Sequence, residues 1–206
     1  MRIDRILPVR NKPGRVVVYF EGGRTLRVTE QEVLDHGLRP GDDPDEETLE
    51  RLREAAGRSD ARLNAAELVG RRAMSRRDLE RKLRDRGASA TEAEYAAEWL
   101  EAIGAMDDAA YAAALVRHHG AQGYGPGWIR EKLREKGISR GLWEEALEQL
   151  PPPDEHIDRF LQHRWKGAAP DPAEVKKAAA ALQRRGFSWS DVRSAMTRYT
   201  DDLPED

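Results

Sequence analysis

Two kinds of hydrophobic pattern divide the chain. In the first thirty residues, β-branched and aromatic side chains crowd into Arg15-Val-Val-Val-Tyr-Phe20 and Thr25-Leu-Arg-Val-Thr29. Between these runs lies Glu21-Gly-Gly-Arg24. Paired glycines supply the positive φ of a tight turn, so the segment predicts a β-hairpin. A lone hairpin is marginal in water and needs something to pack on. From Thr29 onward the spacing becomes helical. Thr29 and Glu32 have capping-box spacing, and Gly37 is placed to end a short helix. Asp43-Pro44 predicts the next start, with Pro at the first helical position and Leu49, Leu52 and Ala56 as the buried stripe. Asp60–Ser75 reads as a further helix or a continuation of that one.

Three later segments share one pattern. Leu79-x-x-x-Leu83-x-x-x-Gly87-Ala-Ser89 returns as Ile129-x-x-x-Leu133-x-x-x-Gly137-Ile-Ser139, and again as Ala178-x-x-x-Leu182-x-x-x-Gly186-Phe-Ser188. In each, two apolar residues at i, i+4 face one side of a helix. A cation (Arg86, Lys136, Arg185) precedes the glycine. The glycine is placed as the left-handed residue that ends the helix, and the serine is placed to start the next one. Ala96, Ala146 and Ala195 stand at one further common position. Repetition at a fixed period marks a tandem architecture. Each unit reads as three helices: one before the pattern, a cation-bearing helix within it, and one after.

Other signals fit this plan. Asp107 or Asp108 can cap a helix carrying Tyr111 and Leu115. Gly125-Pro126 starts the second cation-bearing helix, and Pro151-Pro-Pro153 stops the helix after it. Ile157, Leu161 and Trp165 mark the first helix of the third unit. Asp171-Pro172 starts the next helix, and Val192, Met196 and Tyr199 mark the last. The expected organisation is an extension over 1–60, three-helix units over 61–104, 105–150 and 151–200, and an acidic tail over 201–206. The predicted fold class is an all-α body of tandem three-helix repeats preceded by a small β-hairpin.

Composition narrows the function classes. The chain has 206 residues, 39% of them hydrophobic and 35% charged, with no cysteine. Disulfides, thiolate nucleophiles and cysteine-based zinc sites are therefore excluded. The longest uninterrupted apolar run, Ala109–Val116, is far short of the ~20 residues of a membrane span. The opening Met1-Arg-Ile-Asp-Arg-Ile carries charges where a signal peptide needs an apolar stretch. A cytoplasmic protein with no membrane association is expected. Net charge is only −3, but its sign alternates along the chain. Residues 71–90 sum to +5, 91–112 to −6, 113–140 to +4, 141–160 to −5 and 161–186 to +4.

No catalytic constellation assembles. His118 and His119 are adjacent and point to different sides of a helix. His156 and His163 could share a face, but no HExxH or cysteine accompanies them, so no metal and no cofactor are expected. One of Asp107 and Asp108 is explained as a cap. Gly120-Ala-Gln-Gly-Tyr-Gly-Pro-Gly127 resembles a phosphate-binding loop only in its glycine count, because it follows a helix pattern and lacks the GKS/T ending. It reads as a helix connection.

The cation-bearing helices remain as functional candidates. Arg76, Arg77, Arg81, Lys82, Arg84 and Arg86 surround Leu79 and Leu83. Arg130, Lys132, Arg134 and Lys136 surround Ile129 and Leu133. Lys176, Lys177, Arg184 and Arg185 bracket the third. With the apolar residues on one face, the cations point outward, where Lys and Arg can meet phosphates or acidic protein surfaces. The bland alternative is an ordinary solvated helix whose cations have partners such as Glu131 and Glu135. Repetition in three units favours an extended interacting surface.

These residues also carry a family resemblance. Met106-Asp-Asp-Ala-Ala-Tyr-Ala112, Val116-Arg117, Gly123-Tyr-Gly-Pro126 and Trp128-Ile-Arg-x-x-Leu-x-x-Lys-Gly-Ile138 resemble the central motif of RecX regulatory proteins. Arg72-x-x-Ser75-x-x-Asp78-Leu79-x-x-x-Leu83-x-x-x-Gly87 resembles the block before it, and Arg184-Arg-Gly-Phe-Ser188 the C-terminal block. The match spans about 65–199 and departs most in the third unit, at Ala178–Ala181. The resemblance implies tandem three-helix units in an elongated, curved body that binds the RecA recombinase and RecA-DNA filaments. It implies inhibition or modulation of recombinase, ATPase and SOS co-protease activities, with no catalysis of its own and no cofactor. The implied contact residues are Arg76, Arg77, Arg81, Lys82, Arg84, Arg117, Tyr124, Arg130, Lys132, Arg134, Lys136, Arg184 and Arg185. A monomer is expected. Weak direct DNA binding, of the helix-turn-helix kind, is the alternative reading, and the acidic stretches and net negative charge speak against it.

Overall fold

The structure is a computed structural model that describes residues 1–10, 13–166 and 169–201. The acidic tail expected over 201–206 lies outside the described residues from 202 onward. The chain divides into two compact units, Met1–Ala73 with Leu79–Met106, and Met74–Asp78 with Asp107–Asp206.

The N-terminal unit opens with an antiparallel sheet of strands β1 (Ile3–Pro8), β2 (Arg15–Phe20) and β3 (Thr25–Thr29), in that order. Gly22 and Gly23 both hold positive φ, +90° and +83°, as the β2–β3 turn requires. The expected hairpin is the β2–β3 pair, and β1 adds a third strand to it. The register of β1 shifts between Ile3 and Arg5. This irregularity breaks the period-two alternation by which β1 would have been recognised. Ile3, Val16, Val18, Phe20 and Val28 form the sheet's buried side and pack with Leu38, Leu49, Leu52 and Ala56.

Helix α1 (Glu30–Asp35) has the predicted Thr29–Glu32 capping box and is followed by Gly37 at φ +61°. Helix α2 (Glu46–Arg71) is continuous across the expected break near Asp60. It begins two residues later than predicted. Asp45 is the cap, its carboxylate accepting from the Thr48 N–H at 2.8 Å, and Asp43 instead meets the Met1 amine. Gly57 lets α2 approach α4 closely, since a Cβ there would fall 1.7 Å from Glu92 Oε1. Helices α3 (Arg76–Asp85) and α4 (Ala90–Ala102) follow, and Ser89 and Glu92 form the capping box of α4.

The C-terminal unit holds α5 (Asp108–Ala121), α6 (Pro126–Glu135), a 3-10 turn (Arg140–Leu142), α7 (Trp143–Leu147), α8 (Pro153–Trp165), α9 (Pro172–Arg184) and α10 (Trp189–Asp201). The repeat is plain in the packing. Leu79, Leu83, Ile129, Leu133, Ala178 and Leu182 are all fully buried, and Ala96, Ala146 and Ala195 are buried beside them. Each buried leucine or isoleucine is worth roughly 1.5–3 kcal/mol over leaving it in water. Gly87, Gly137 and Gly186 hold φ of +97°, +74° and +87°, the left-handed termination that the spacing predicts.

The serine rule holds at two of three places. Ser89 and Ser188 accept from Glu92 and Asp191 N–H groups, whereas Ser139 makes no side-chain cap. The helix after it is reduced to a 3-10 turn and five α-helical residues. Gly141 sits in that turn, and the Trp143 indole Nε1–H donates to the Ile138 carbonyl at 3.0 Å. The result is a mainly helical fold with a small N-terminal antiparallel sheet. Among the described residues no helix is long and apolar enough to cross a membrane.

Candidate protein-interaction surface

The openings of the cation-bearing helices are anchored by contacts the sequence spacing left unread. At the start of α3, the Ser75 hydroxyl accepts from Asp78 N–H at 3.1 Å and donates to the Lys136 carbonyl. The Asp108 carboxylate accepts from Arg76 N–H at 2.9 Å. At the start of α6, Gly125 N–H donates to the Arg185 carbonyl at 2.7 Å, and Gly127 N–H to the Gly186 carbonyl at 2.9 Å. Ser75 and Gly125 occupy the same place in successive repeats, as do Lys136 and Arg185. The glycine-rich segment before Trp128 is thus a main-chain joint to the α9–α10 turn. A Cβ at Gly125 would lie 2.7 Å from the Gly186 carbonyl oxygen.

The cations of α6 do not stand alone. Arg130 donates from Nε (3.2 Å) and Nη2 (3.0 Å) to the two carboxylate oxygens of Glu144. Lys132 pairs with Glu135 at 2.7 Å, and Arg134 donates from Nε to Glu131 at 2.9 Å. These bonds hold the Glu144 and Glu131 carboxyls below their ordinary range and raise the Arg134 guanidinium. Exposed pairs of this kind contribute ~0–1 kcal/mol each. Of the four cations from Arg130 to Lys136, three carry a carboxylate: Arg130, Lys132 and Arg134. Lys136 is exposed and has no ion pair among the described residues.

Beside α6 the structure gathers rings. Tyr124 stacks on Trp128 with centroids 3.9 Å apart and planes at 15°. His119 meets Trp128 edge-on at 4.8 Å, and Lys132 Nζ lies 4.9 Å from the Trp128 ring centre. Burial chiefly, then the charges of His118, Lys132 and Lys136, press the His119 imidazole below its ordinary 6.5, against a hydrogen bond that its Nδ1–H donates to Gln122 Oε1, which acts the other way. A histidine depressed in the folded state takes up its proton more readily when unfolded. Its stabilising contribution is therefore intact above about 6.5 and is lost as pH falls through that value toward the folded pKa. Between pH 8 and pH 5, the melting temperature of the parent should fall further than that of His119→Gln. Equal falls would remove His119 as a source of pH dependence.

The remaining predicted residues are distributed among the elements. Arg117 leaves α5 and donates to Gln149 Oε1 at 2.7 Å. The side chain of Arg77 lies against Gly137. Arg76 and Lys82 are half-buried, while Arg81 and Arg84 are exposed on α3. Arg184 is exposed, and Arg185 lies 5.1 Å over the Phe160 ring. Asp107 caps α5, accepting from Ala109 and Ala110 N–H groups. With Asp108 serving α3, the adjacent carboxylates are two caps of two helices. Among the described residues no three His, Asp or Glu side chains converge as a metal site.

Known proteins agree with this arrangement. A family model described as RecX, second three-helix domain, matches residues 107–147. That of the third three-helix domain matches 154–196. A regulatory protein RecX of Halorhodospira halophila is 33% identical over an alignment covering 73% of this chain and 96% of the relative. One of Xanthomonas oryzae pv. oryzae is 37% identical over 64% of this chain and 83% of its own length. Among solved structures, a crystal structure of regulatory protein RecX superposes with a TM-score of 0.72 at 25% identity, covering 95% of this chain and 98% of the other. RecX from Lactobacillus salivarius gives 0.62 at 21% identity, over 70% and 97%. With two of its three-helix units matched in order and almost the full length of a relative aligned, the chain belongs to the RecX family of regulatory proteins.

Proposed function

We propose that this protein binds the RecA recombinase and RecA-DNA filaments and restrains recombinase, ATPase and SOS co-protease activities, without catalysing a reaction itself. The observation that supports it most is the near full-length similarity to RecX regulatory proteins. The joints add physical support. Main-chain hydrogen bonds from Gly125 and Gly127 to the Arg185 and Gly186 carbonyls fix α6 relative to the α9–α10 turn, so that their cations act as one rigid set and lose little freedom on binding. We assign the working units to 61–104, 105–150 and 151–200, behind an extension over 1–60, and place the protein in the cytoplasm as a monomer. Its contacts are the α3 cations Arg76, Arg77, Arg81, Lys82 and Arg84, then Arg117, Tyr124, Arg130, Lys132, Arg134 and Lys136, and Arg184 with Arg185.

A second reading, direct binding of DNA, is favoured by the stacked Tyr124–Trp128 pair with Lys132 over the tryptophan. Aromatic faces beside cations are what unpaired bases stack on. The two readings separate under salt. Light scattering with RecA filaments, beside bare single- and double-stranded DNA over a range of salt, should find the filament complex outlasting the bare-DNA complexes, because phosphate-dominated binding falls steeply with salt. The protein should also slow ATP turnover by RecA on single-stranded DNA while turning over none alone. Equal salt sensitivity and equal affinity for bare DNA would favour the second reading.

A further inference from the structure

The turn that ends α6, Lys136-Gly137-Ile138-Ser139-Arg140, lies in the C-terminal unit together with Arg77 from the opening of α3. The Arg77 stem lies across Gly137, where a Cβ would fall 2.9 Å from Arg77 Cδ. Lys136 and Arg140 flank that glycine along the chain, so three cations surround one turn. All three are exposed, and among the described residues none has a carboxylate partner. The α6 carboxylates are engaged elsewhere, Glu131 with Arg134 and Glu135 with Lys132, and Glu144 of α7 holds Arg130. Glu145 and Glu148, exposed further on, pair with none of the three. The turn is therefore a patch of uncompensated positive charge, unlike the body of the helix before it.

The same turn holds a free hydroxyl. Ser89 and Ser188 spend theirs as helix caps. Ser139, at the same position of the repeat, is exposed, and among the described residues its side chain makes no hydrogen bond. Two of the cations are also propped in place. Arg77 rests on Gly137, and Arg140 lies 5.8 Å over the Trp143 ring, whose indole is tied to the Ile138 carbonyl. Side chains held in this way lose less freedom when a ligand arrives.

We propose that this turn binds the phosphodiester backbone of DNA. Arg77, Lys136 and Arg140 supply the charge, and the Ser139 hydroxyl donates to a phosphate oxygen. Arg, Lys and Ser are side chains that meet phosphate oxygens in protein–DNA interfaces. An acidic protein surface fits less well. Protein interfaces gather an apolar core from which Lys is depleted. Here Ile138 is buried, and among the described residues no exposed large hydrophobic lies on the turn. Interfaces with DNA are instead polar and strongly positive. The inference deepens the filament reading by assigning the surface that meets DNA, and it rests on that reading only for the DNA being met within a RecA filament.

The test measures binding of the intact chain to a labelled bare DNA duplex by fluorescence anisotropy over a range of salt, with RecA binding followed separately. Each phosphate contact contributes roughly 0.9 to the slope of log affinity against log salt. Combining Arg77→Gln, Lys136→Gln and Arg140→Gln should lower that slope by roughly 2–3 and weaken low-salt binding about tenfold or more. Arg51→Gln, Arg58→Gln and Arg71→Gln together remove the same charge from paired positions on α2 and should leave the slope within about 0.5 of the parent. Ser139→Ala should weaken binding roughly threefold with slope and melting temperature unchanged, because the hydroxyl carries no charge and caps no helix. If the triple variant fails to fold, Arg140→Gln alone decides, with an expected loss of slope of roughly 0.9. Polyglutamate and inorganic phosphate at matched ionic strength should displace the duplex poorly. A parent that does not bind duplex at low salt, an unchanged slope in the turn variant, an equal loss in the α2 variant, or ready displacement by polyglutamate would each overturn the proposal. The expected slopes without any RecA binding would uphold the site and remove the filament reading.

Discussion

Gly186→Ala should destabilise the C-terminal unit by about 3–5 kcal/mol, while Gly87→Ala, at the same position of the repeat, should cost the N-terminal unit about 1–2 kcal/mol. Both glycines hold left-handed backbone, so both variants bear the strain of an L side chain at positive φ. Only Gly186 adds a collision. Its Cβ would fall 2.1 Å from the Trp128 backbone nitrogen and 2.6 Å from Trp128 Cβ, whereas nothing lies within 4 Å of the Gly87 position. Backbone cannot swing aside as a side chain can, so the joint must open and release the Gly125 and Gly127 hydrogen bonds. Gly137→Ala belongs between the two, because its nearest neighbour is the Arg77 stem at 2.9 Å, and a flexible stem can yield. Urea denaturation ranks the three variants. Hydrogen exchange at the Gly125 and Gly127 amides reports the joint itself. If Gly186→Ala costs no more than Gly87→Ala, the joint is not a close-packed contact.

That contrast marks how far the sequence could be read. The i, i+4 apolar pair, the left-handed glycine and the buried alanine behind it are local devices, each with its own residue preference, and all three returned in the structure at their expected places. The joints were hidden because their contacts are made by main-chain atoms. A glycine selected for close approach looks in sequence like a glycine selected for a flexible turn, which is how Gly120–Gly127 was read. Aligning the repeats would have set Ser75 beside Gly125 and Lys136 beside Arg185, a signal available without coordinates. Strand β1 escaped because a register shift disrupts its alternation. In the candidate surface, the Glu131–Arg134 and Lys132–Glu135 pairs are neighbours along one helix and were legible as spacing. Arg130 with Glu144 joins residues on two elements, α6 and α7, so only the folded chain reveals it. The Arg15–Asp60 pair is likewise a product of packing between strand and helix.

Reversing Arg130, Arg134 and Lys136 to Glu together should weaken inhibition of RecA ATPase by roughly thirtyfold, with little loss of folded structure. If each cation contributes about 0.5–1 kcal/mol to a partly screened interface, the three amount to about 2 kcal/mol. The negative charges installed in their place add repulsion against the same partner surface. Within the protein, the changes turn the Arg130–Glu144 and Arg134–Glu131 attractions into like-charge contacts. That cost is small, a few tenths of a kcal/mol per exposed pair, and it falls on a helix whose Ile129 and Leu133 are fully buried. Melting temperature should therefore drop by only a few degrees. The matched control reverses Arg51, Arg58 and Arg71, each already paired on α2 with a glutamate four residues earlier. It carries the same change of charge on a different helix, and breaks three surface pairs where the α6 set breaks two. Inhibition measured against protein concentration, at two salt concentrations, separates the two sets. The α6 variant should lose potency, and the parent should lose its advantage over it as salt rises. If the α6 variant inhibits as the parent does, the cations of α6 serve their own glutamates and the binding surface lies elsewhere on the protein.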